Sequence, residues 1–363
     1  MADTSQLKNI ISTTFITELA KELHKHAPAF DAVAFKVATS HKQWSELELK
    51  QRIQTVAQNI HTHLPLTYSE QIKVLMKVAP QFQGLQGMVF PEFVSLFGLQ
   101  NRTVSLDALK FFTAFSTSEF AIRFFIRQNP SHTMKQMLKW SKDKNEHIRR
   151  LSSEGCRPRL PWSFKLSELI TDPSSAIQIL ENLNTDESLY VRKSVANHLN
   201  DISKDHPELA LKLAKLWLKN NNDYTRWIVK HGLRTLLKAR NTHALKLFGV
   251  HNAKNISIHK LKTTKTHYKI GEHVEFSFEL KNSSPTTRDL RIEYVIYYVK
   301  KSGGLSAKVF KLAEKSFNSG SHSLQRRHSL KPMTTRQHYP GTHKIEIVVN
   351  GTRLTTTTFV LKK

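Results

Sequence analysis

The stretch LSSEGCRPRLPW, residues 151–162, joins a short amphipathic segment to a proline-containing loop, and the rest of the chain is arranged around it. Gly155 predicts the end of a helix in a left-handed conformation, which glycine adopts without steric cost. Pro158 and Pro161 disfavour helix in the following residues and favour an extended chain there. The functional groups of this stretch are those of Glu154, Arg157, Arg159 and Trp162. We therefore expect one carboxylate inside a stiff and strongly basic loop.

The carboxylate of Glu154 has two interpretations. A glutamate near a helix end beside arginines is usually a surface ion pair that contributes little to stability. Alternatively, the guanidiniums favour the charged form of the carboxylate. An anion in basic surroundings suits a site that meets a cationic group while its walls hold a polyanion backbone. The residues by themselves leave both interpretations open.

Three stretches carry a family resemblance. The run SSEGCRPRLPW resembles the signature of AlkC-type DNA glycosylases, alkylation-repair enzymes built from HEAT-like helical repeats. VRKSVANHLNDISK at residues 191–204 and FSTSEFAIRFFI at residues 115–126 are similar to the same family. The resemblance covers most of residues 1–250 and extends into a C-terminal β domain that only part of the family carries.

The resemblance implies a substrate and a set of site residues. The substrate would be double-stranded DNA carrying cationic N3-methylcytosine or N3-methyladenine, attacked from outside the base stack. Glu119 and Glu154 match the two glutamates that the family associates with the lesion. Asp201 is a third catalytic candidate, although an acid at the end of a repeat helix is often only a cap partner. Trp162 either stacks on a sugar or base or packs under the loop, and no cofactor or metal is implied.

Composition points to a polyanionic partner. The chain has 363 residues, a net charge of +26 and an isoelectric point near 10.1, which suggests two or three domains and binding to nucleic acid. Residues 1–130 have 13 basic and 10 acidic side chains, residues 131–250 have 21 and 12, and residues 251–363 have 21 and 7. We expect the DNA-facing surface to lie in the later helices and the C-terminal domain, on a monomer without an obligate protein partner.

Cys156, the single cysteine, excludes an intramolecular disulfide framework and fits a reducing cytosol. No histidine or acid at motif spacing supports it as a nucleophile. The sequence has no apolar run of about 18 residues and no apolar signal-peptide core, so we expect a bacterial cytoplasmic protein that associates with the nucleoid on DNA. The histidine-rich N-terminal region lacks a ligand set for a metal.

Helical periodicity predicts helices over residues 5–25, 45–64, 68–79, 88–98, 104–115 and 118–128, with a Ser45–Glu48 capping box at the start of the second. Three later segments, residues 145–155, 186–198 and 223–232, align on Arg149, Arg192 and Arg226 at separations of 43 and 34 residues. Each follows a shorter apolar helix, as in HEAT or armadillo stacks.

The aligned arginines predict a basic stripe on one face of the stack. Such a stripe in a basic segment favours contact with DNA phosphates, whereas the alternative is that these side chains cap and solvate helix ends. In the helical region, DNA contacts are predicted for Arg149, Arg150, Arg157, Arg159, Trp162, Arg192, Lys193, Arg226 and Lys230.

From Asn255 the hydrophobic period changes to two, with apolar residues alternating along 274–280 and 290–298. Seven short strands fit an immunoglobulin-like sandwich without a disulfide. The predicted fold class is therefore mainly α, a HEAT-like α-solenoid (1–250) followed by an all-β immunoglobulin-like sandwich (251–363) that serves as a DNA-binding accessory domain. Two basic pairs are predicted to contact DNA there, at one hairpin tip and on or beside another: Lys300, Lys301, Arg326 and Arg327.

Two rival functions share part of this evidence. A non-catalytic HEAT-repeat scaffold that binds nucleic acid has the same basic stripe but gives Glu119 and Glu154 no role. A phosphodiesterase usually needs clustered metal-binding acids, which the sequence lacks at convincing spacing. The acid pair set among arginines favours a glycosylase over the scaffold. No lysine within the signature stands where a Schiff base would form, which favours a monofunctional enzyme with water as the nucleophile.

Overall fold

The computed structural model describes residues 7–40, 42–248, 253, 255–332 and 337–363. The chain forms two compact units, Met1–Leu233 and Arg234–Lys363. The first is helical, and the second holds two short helices and all the strands. This division falls before the predicted domain boundary at residue 250, because Leu245 in the last helix lies against the chain at Gly351 of the β unit. Gly249, the predicted last residue of the helical region, lies outside the described residues.

The helical unit begins with seven helices that precede the repeat region. They are α1 (Thr13–His26), α2 (Ala32–Thr39), α3 (Leu49–His63), α4 (Tyr68–Val78), α5 (Val89–Phe97), α6 (Arg102–Phe112) and α7 (Ile122–Gln128). Short 3₁₀ turns at Lys8–Ile10, Lys42–Glu46, Ala79–Gln81 and Gln86–Met88 connect them. The predicted capping box is displaced by one turn, since Glu48 is the N-cap of α3 and pairs reciprocally with Gln51. Ser45 lies in the preceding 3₁₀ turn.

The repeat region pairs a short helix with a second helix that carries an aligned arginine. Its elements are α8 (Pro130–Trp140), α9 (Glu146–Glu154), α10 (Ser167–Thr171), α11 (Ser174–Leu183), α12 (Leu189–Asp205), α13 (Pro207–Trp217) and α14 (Asp223–Gly232). The second helices α9, α12 and α14 pack side by side in that order, and α8 packs against α11. Each second helix begins at a polar N-cap, namely Asn145, Ser188 or Asn222, whose side chain accepts from backbone amides.

Two local predictions for the stretch at residues 151–162 are wrong. Gly155 ends α9 in a right-handed conformation, at φ −63°. A Cβ there would lie 2.5 Å from a methyl carbon of Ile122, so glycine is required by the close approach of α7. The following residues do not run extended, because the Leu166 amide donates to the Pro158 carbonyl and the Ser163 amide to the Leu160 carbonyl, which folds the loop into turns.

The second unit begins with helices α15 (Arg234–Lys238) and α16 (Thr242–Leu247) and continues as two sheets. The strands are β1 (Ile256–Thr263), β2 (His267–Lys269), β3 (His273–Asn282), β4 (Arg288–Val299), β5 (Leu305–Phe317), β6 (Gly320–Ser329), β7 (Gly341–Val349) and β8 (Thr352–Lys362). One sheet has the order β1-β3-β6 and the other β2-β8-β7-β4-β5. All pairings are antiparallel except that of β2 with β8.

The core of the β unit follows the predicted alternation. The inward positions of β3 and β4 are buried: Val274, Phe276, Phe278, Leu280, Leu290, Ile292, Tyr294, Ile296 and Tyr298. The three-residue strand β2 was not predicted, because it is too short to show a period. Arg326 and Arg327 lie within β6, opposite Phe276 and Glu275 of β3, so their predicted place on or beside a hairpin tip is wrong. None of the helices in the described part of the chain is long and apolar enough to cross a membrane.

Candidate active site

Three elements of the helical unit bring the predicted acids together. Glu119 lies in the turn before α7, where the Ser118 hydroxyl donates to the Leu109 carbonyl and anchors the turn to α6. Glu154 is the last residue of α9 and shares a helix face with Arg150, four residues earlier. Asp201 comes from α12, which packs against α9.

These acids form an alternating series with two arginines, here called the acid–guanidinium chain (Glu119, Arg150, Glu154, Arg157 and Asp201). Arg150 pairs with Glu119 and lies 3.6 Å from the Glu154 carboxylate. Arg157 Nη1 lies 2.7 Å from Glu154 Oε1, and Arg157 Nε lies 3.0 Å from Asp201 Oδ2. Each guanidinium therefore joins two carboxylates that lie far apart in the sequence.

The acid–guanidinium chain is buried. Glu119, Glu154 and Asp201 are 8%, 6% and 2% exposed. Burial alone would lower the pKa of the Arg150 guanidinium, but Glu119 and Glu154 outweigh it and raise that pKa above its ordinary value. The pKa of Arg157 is raised in the same way, by Glu154 and Asp201 against burial. Both cations are therefore stabilised by the acids that they hold in place.

The position of Arg157 differs from the phosphate contact predicted for it. Its side chain is 8% exposed and faces inward between two acids. Arg159, two residues later, pairs with Asp205 through Nη2 and Oδ1 at 2.7 Å in a more exposed setting. Only Arg159 of this pair is therefore well placed to meet an external anion.

Arg123 supports the loop through hydrogen bonds to its backbone, and no role was predicted for this residue. Its guanidinium is fully buried and donates to the carbonyls of Gly155 (3.0 Å), Arg157 (2.6 Å) and Phe164 (2.5 Å). Burial lowers its pKa to about 10. The feature of the sequence that could have indicated this role is the position of Arg123 inside the apolar run that follows Glu119.

Two further buried groups lie beside the acids. His198 of α12 is within 3.0 Å of the Ser153 carbonyl through Nδ1, and burial lowers its pKa to about 4. Cys156 is fully buried, its thiol donates to the Ser152 carbonyl, and burial raises its pKa to about 12. A buried thiol with a raised pKa is a poor nucleophile.

Trp162 is exposed, and this excludes the interpretation in which its side chain packs under the loop. Its side chain is 55% exposed and its backbone adopts a left-handed φ of 64°. That conformation is unfavourable for a bulky residue. Lys50 of α3 donates to the Trp162 carbonyl and holds the loop against the first half of the helical unit.

The aligned arginines of α9 and α12 stabilise the entry to their own helices. Arg149 and Arg192 each donate to the carbonyls six and five residues before them, as the capping interpretation predicts. Arg226 donates to the side chain of Asn221. On the same helices Lys193 and Lys230 are exposed. Contact of this stripe with phosphate remains a prediction.

Two tyrosines beside the stripe were missed. Tyr190 lies 4.8 Å from the Arg150 guanidinium, and Tyr224 lies 4.1 Å from that of Arg192, measured to the ring centroids. Both side chains are exposed. Each precedes an aligned arginine by two residues in the sequence, at the position that His147 occupies in the first repeat, and this recurrence was the available signal.

In the β unit, the predicted basic residues lie on the surface. Lys300 and Lys301 are exposed at the β4–β5 hairpin tip, where the Lys300 amide donates to the Gly304 carbonyl. Arg326 and Arg327 line an open groove on the three-stranded sheet. The Arg327 guanidinium lies 3.3 Å from the Glu275 carboxylate. Within the described residues, no group of three or more His, Cys, Asp or Glu side chains is placed to hold a metal ion.

Comparisons with known proteins identify relatives that match nearly the whole chain. Residues 104–236 match the model of the DNA alkylation repair enzyme family, and residues 257–363 match that of the C-terminal Ig-like domain of YhaZ. The chain is 44% identical over 352 residues to YhaZ of Bacillus subtilis, covering 97% of each chain. It is similar to the alkylpurine DNA glycosylase AlkC of Pseudomonas fluorescens, solved with DNA containing an abasic site analogue, at 42% identity and a TM-score of 0.88. That match covers 98% of this chain and 99% of AlkC.

Proposed function

The chain belongs to the AlkC family of DNA alkylation repair enzymes, and we propose that it is a monofunctional DNA glycosylase. Its substrates would be N3-methylcytosine and N3-methyladenine in double-stranded DNA, which it excises in base excision repair. The observation that carries the proposal is the acid–guanidinium chain, which gathers three carboxylates in an otherwise basic protein. The AlkC relative, bound to an abasic-site analogue, supports the same activity.

The chemistry explains why a DNA-binding protein of net charge +26 keeps acids together. A base alkylated at N3 is cationic, so it leaves without protonation by a general acid. When the bond between C1′ and the base nitrogen breaks, its electron pair moves to the base, which becomes neutral, and the sugar becomes oxocarbenium-like. Carboxylates stabilise such a sugar and accept a proton from the attacking water. Water oxygen then bonds to C1′, and the products are the free base and an abasic site.

We assign Glu119 and Glu154 to the sugar and its attacking water, with Asp201 as a third candidate. The two arginines of the acid–guanidinium chain preorganise these acids, since each contacts two carboxylates and is at most partly exposed. Trp162, exposed at the edge of the same loop, is placed to stack on a sugar or base. No step requires a cofactor, and the nucleophile is water rather than a lysine.

We interpret the stacked pairs α8/α9, α11/α12 and α13/α14 as HEAT-like repeats that hold the duplex, with the lesion attacked from outside the base stack. The β unit adds affinity through exposed cations at the Lys300–Lys301 hairpin tip and along β6. We expect a monomer that acts without an obligate protein partner on the nucleoid of the bacterial cytoplasm.

The test is single-turnover excision at saturating enzyme on duplexes with one N3-methyladenine or N3-methylcytosine. Glu154→Gln keeps the side-chain size and removes the charge, so it should lower the rate about 10²-fold or more, the scale of losing one electrostatic stabiliser. Affinity for DNA should be maintained. Borohydride should trap no covalent adduct, because no Schiff base forms.

The opposite result identifies the alternative, a non-catalytic nucleic-acid-binding scaffold. A wild-type chain that binds the duplex but releases no base would establish it. Excision within about threefold of wild type in both Glu119→Gln and Glu154→Gln would remove the catalytic assignment while leaving the glycosylase activity in place.

A further inference from the structure

A cavity of ≈ 390 Å³ opens within the helical unit. Its wall includes residues of α3, α5 and α7 together with the loop at residues 162–164. Phe120, the neighbour of Glu119, faces this cavity, and Trp162 stands at the same wall. The residues that matter for its chemistry are Lys50, Glu92, Phe120, Phe124, Trp162 and Phe164. Its volume is in the range of small-molecule sites.

Aromatic rings form much of the cavity, and cations hold them in place. Phe124 and Phe164 meet edge to face with centroids 5.1 Å apart. Arg127 lies 4.6 Å from the Phe164 centroid, and Lys50 lies 4.6 Å from the Phe120 centroid. Together with the exposed indole of Trp162 these rings offer stacking faces to a planar ligand.

One carboxylate in the cavity lacks a protein donor. Glu92 of α5 is partly buried, and its backbone carbonyl accepts from the Ser95 hydroxyl. Its carboxylate makes no hydrogen bond or ion pair among the described residues. Burial raises its pKa, while the nearby charge of Lys50 lowers it. A partly buried acceptor without a partner favours a ligand that brings an N–H group. Lys50 supplies the complementary donor at the same opening, although it already donates to the Trp162 carbonyl.

This combination selects a ligand class. Stacking faces require a flat ring, and an acceptor beside a donor matches the edge of an aminated nucleobase, where an exocyclic amine adjoins a ring nitrogen. Lys50 disfavours a cationic base, whereas the base becomes neutral once its glycosidic bond breaks. Because Phe120 directly follows Glu119 in the chain, the cavity lies near a carboxylate that we assign to the reaction.

We propose that this cavity binds the excised base, an aminated and alkylated purine or pyrimidine, after the glycosidic bond has broken. Glu92 accepts from its exocyclic amine, and the base stacks on one of the rings of Phe124 and Phe164 while the other ring meets it edge-on. This inference rests on the proposed glycosylase function and adds a product site to it.

The probe is free 3-methyladenine, titrated calorimetrically into the full-length protein at about pH 8, with unsubstituted purine as the ligand that lacks the amine. We expect purine to bind at least about tenfold more weakly, because the carboxylate then remains without a donor. Glu92→Leu and Phe124→Ala should each weaken 3-methyladenine about tenfold or more, through the lost hydrogen bond and the lost stacking face.

Two controls separate binding from folding. Glu181→Leu removes an exposed carboxylate on α11, away from the cavity wall, and should bind 3-methyladenine as wild type does. Glu92→Gln keeps the shape and one acceptor oxygen, so it should bind between wild type and Glu92→Leu if it retains the wild-type melting temperature.

The proposal is overturned if wild type does not bind 3-methyladenine at millimolar concentration, or if Glu92→Leu and Phe124→Ala bind it as tightly as wild type. Single-turnover excision by wild type, measured in parallel, separates the two claims. Excision without binding of the free base removes only the product site. Binding of the free base without excision removes the glycosylase function.

Discussion

Replacement of Arg157 by alanine tests whether the acid–guanidinium chain is a structural unit of the helical domain. Arg157 is 6% exposed and joins Glu154 to Asp201. Without it, two buried carboxylates lose their shortest ion pairs. Breaking a buried pair by removing one partner typically costs about 3–5 kcal/mol.

The remaining contacts set the expected value within that range. Glu154 keeps Arg150 at 3.6 Å, and Asp201 keeps Lys204 at 3.1 Å. Because both acids retain a cation, we expect the lower end, about 3 kcal/mol of lost unfolding free energy. For a unit of this size, that corresponds to a decrease in melting temperature of about 6–12 °C.

Intrinsic tryptophan fluorescence follows the helical unit selectively. All five tryptophans of the chain lie in that unit, at positions 44, 140, 162, 217 and 227. Thermal unfolding of Arg157→Ala therefore reports the unit that contains the site, without a signal from the β unit. Arg159→Ala is the matched control, because it removes an arginine two residues away whose pair with Asp205 is more exposed.

We expect Arg159→Ala to melt close to wild type and to weaken binding to any duplex, since Arg159 is the member of the pair that can reach phosphate. Equal melting temperatures for the two variants would refute the structural role of Arg157. In that case Arg157 would be free to turn outward, and the phosphate contact predicted from the sequence would be the better assignment.

Three further predictions concern other parts of the molecule. The free energy of unfolding should fall by up to about 3 kcal/mol as pH decreases from about 6.5 to about 4, because burial lowers the pKa of His198 to about 4 and the unfolded chain is protonated first. Melting curves should show that His198→Gln loses less stability over this range, and an identical loss would contradict the prediction. Deleting residues 251–363 should weaken duplex binding and reduce its salt slope by about 0.9 per lost phosphate contact, whereas full affinity at about 150 mM salt would exclude a DNA-binding role for that segment. Tyr190→Ala should lower excision more than Tyr224→Ala, because Tyr190 covers the Arg150 guanidinium of the site; equal rates for the two variants would argue against this difference.

The order and type of the elements were largely predictable from local spacing. The helical period, the polar N-caps of the repeat helices and the change to a period of two after Asn255 are properties of neighbouring residues. Most of the described helices and strands follow them, although α2 was not predicted and α1 begins at Thr13 rather than at residue 5. Errors occurred where local rules were ambiguous. Gly155 ends a helix as predicted, yet the reason is the approach of Ile122 from another helix, which no local pattern contains.

The candidate acids were found through residue type and family resemblance, but their partners were not predictable. Arg150 meets Glu119 across 31 residues, and Arg157 meets Asp201 across 44. The arginines beside Glu154 were expected to bind phosphate, because the sequence shows the charge of a side chain but not the direction in which it points. Glu92 gave no signal of a role, and the signal for Arg123 was only its position inside an apolar run.

Local patterns and composition were therefore enough to identify the helical and β regions, the candidate acids and the net charge that favours DNA. The inward direction of Arg157, the exposure of Trp162 and the cavity lined by Phe120 became known from the packed helices alone. Periodicity and capping could be predicted because they depend on residues within a few positions of one another. Ion pairing and burial depend instead on which helices pack together, and a guanidinium is directed to the nearest buried carboxylate wherever it lies in the chain.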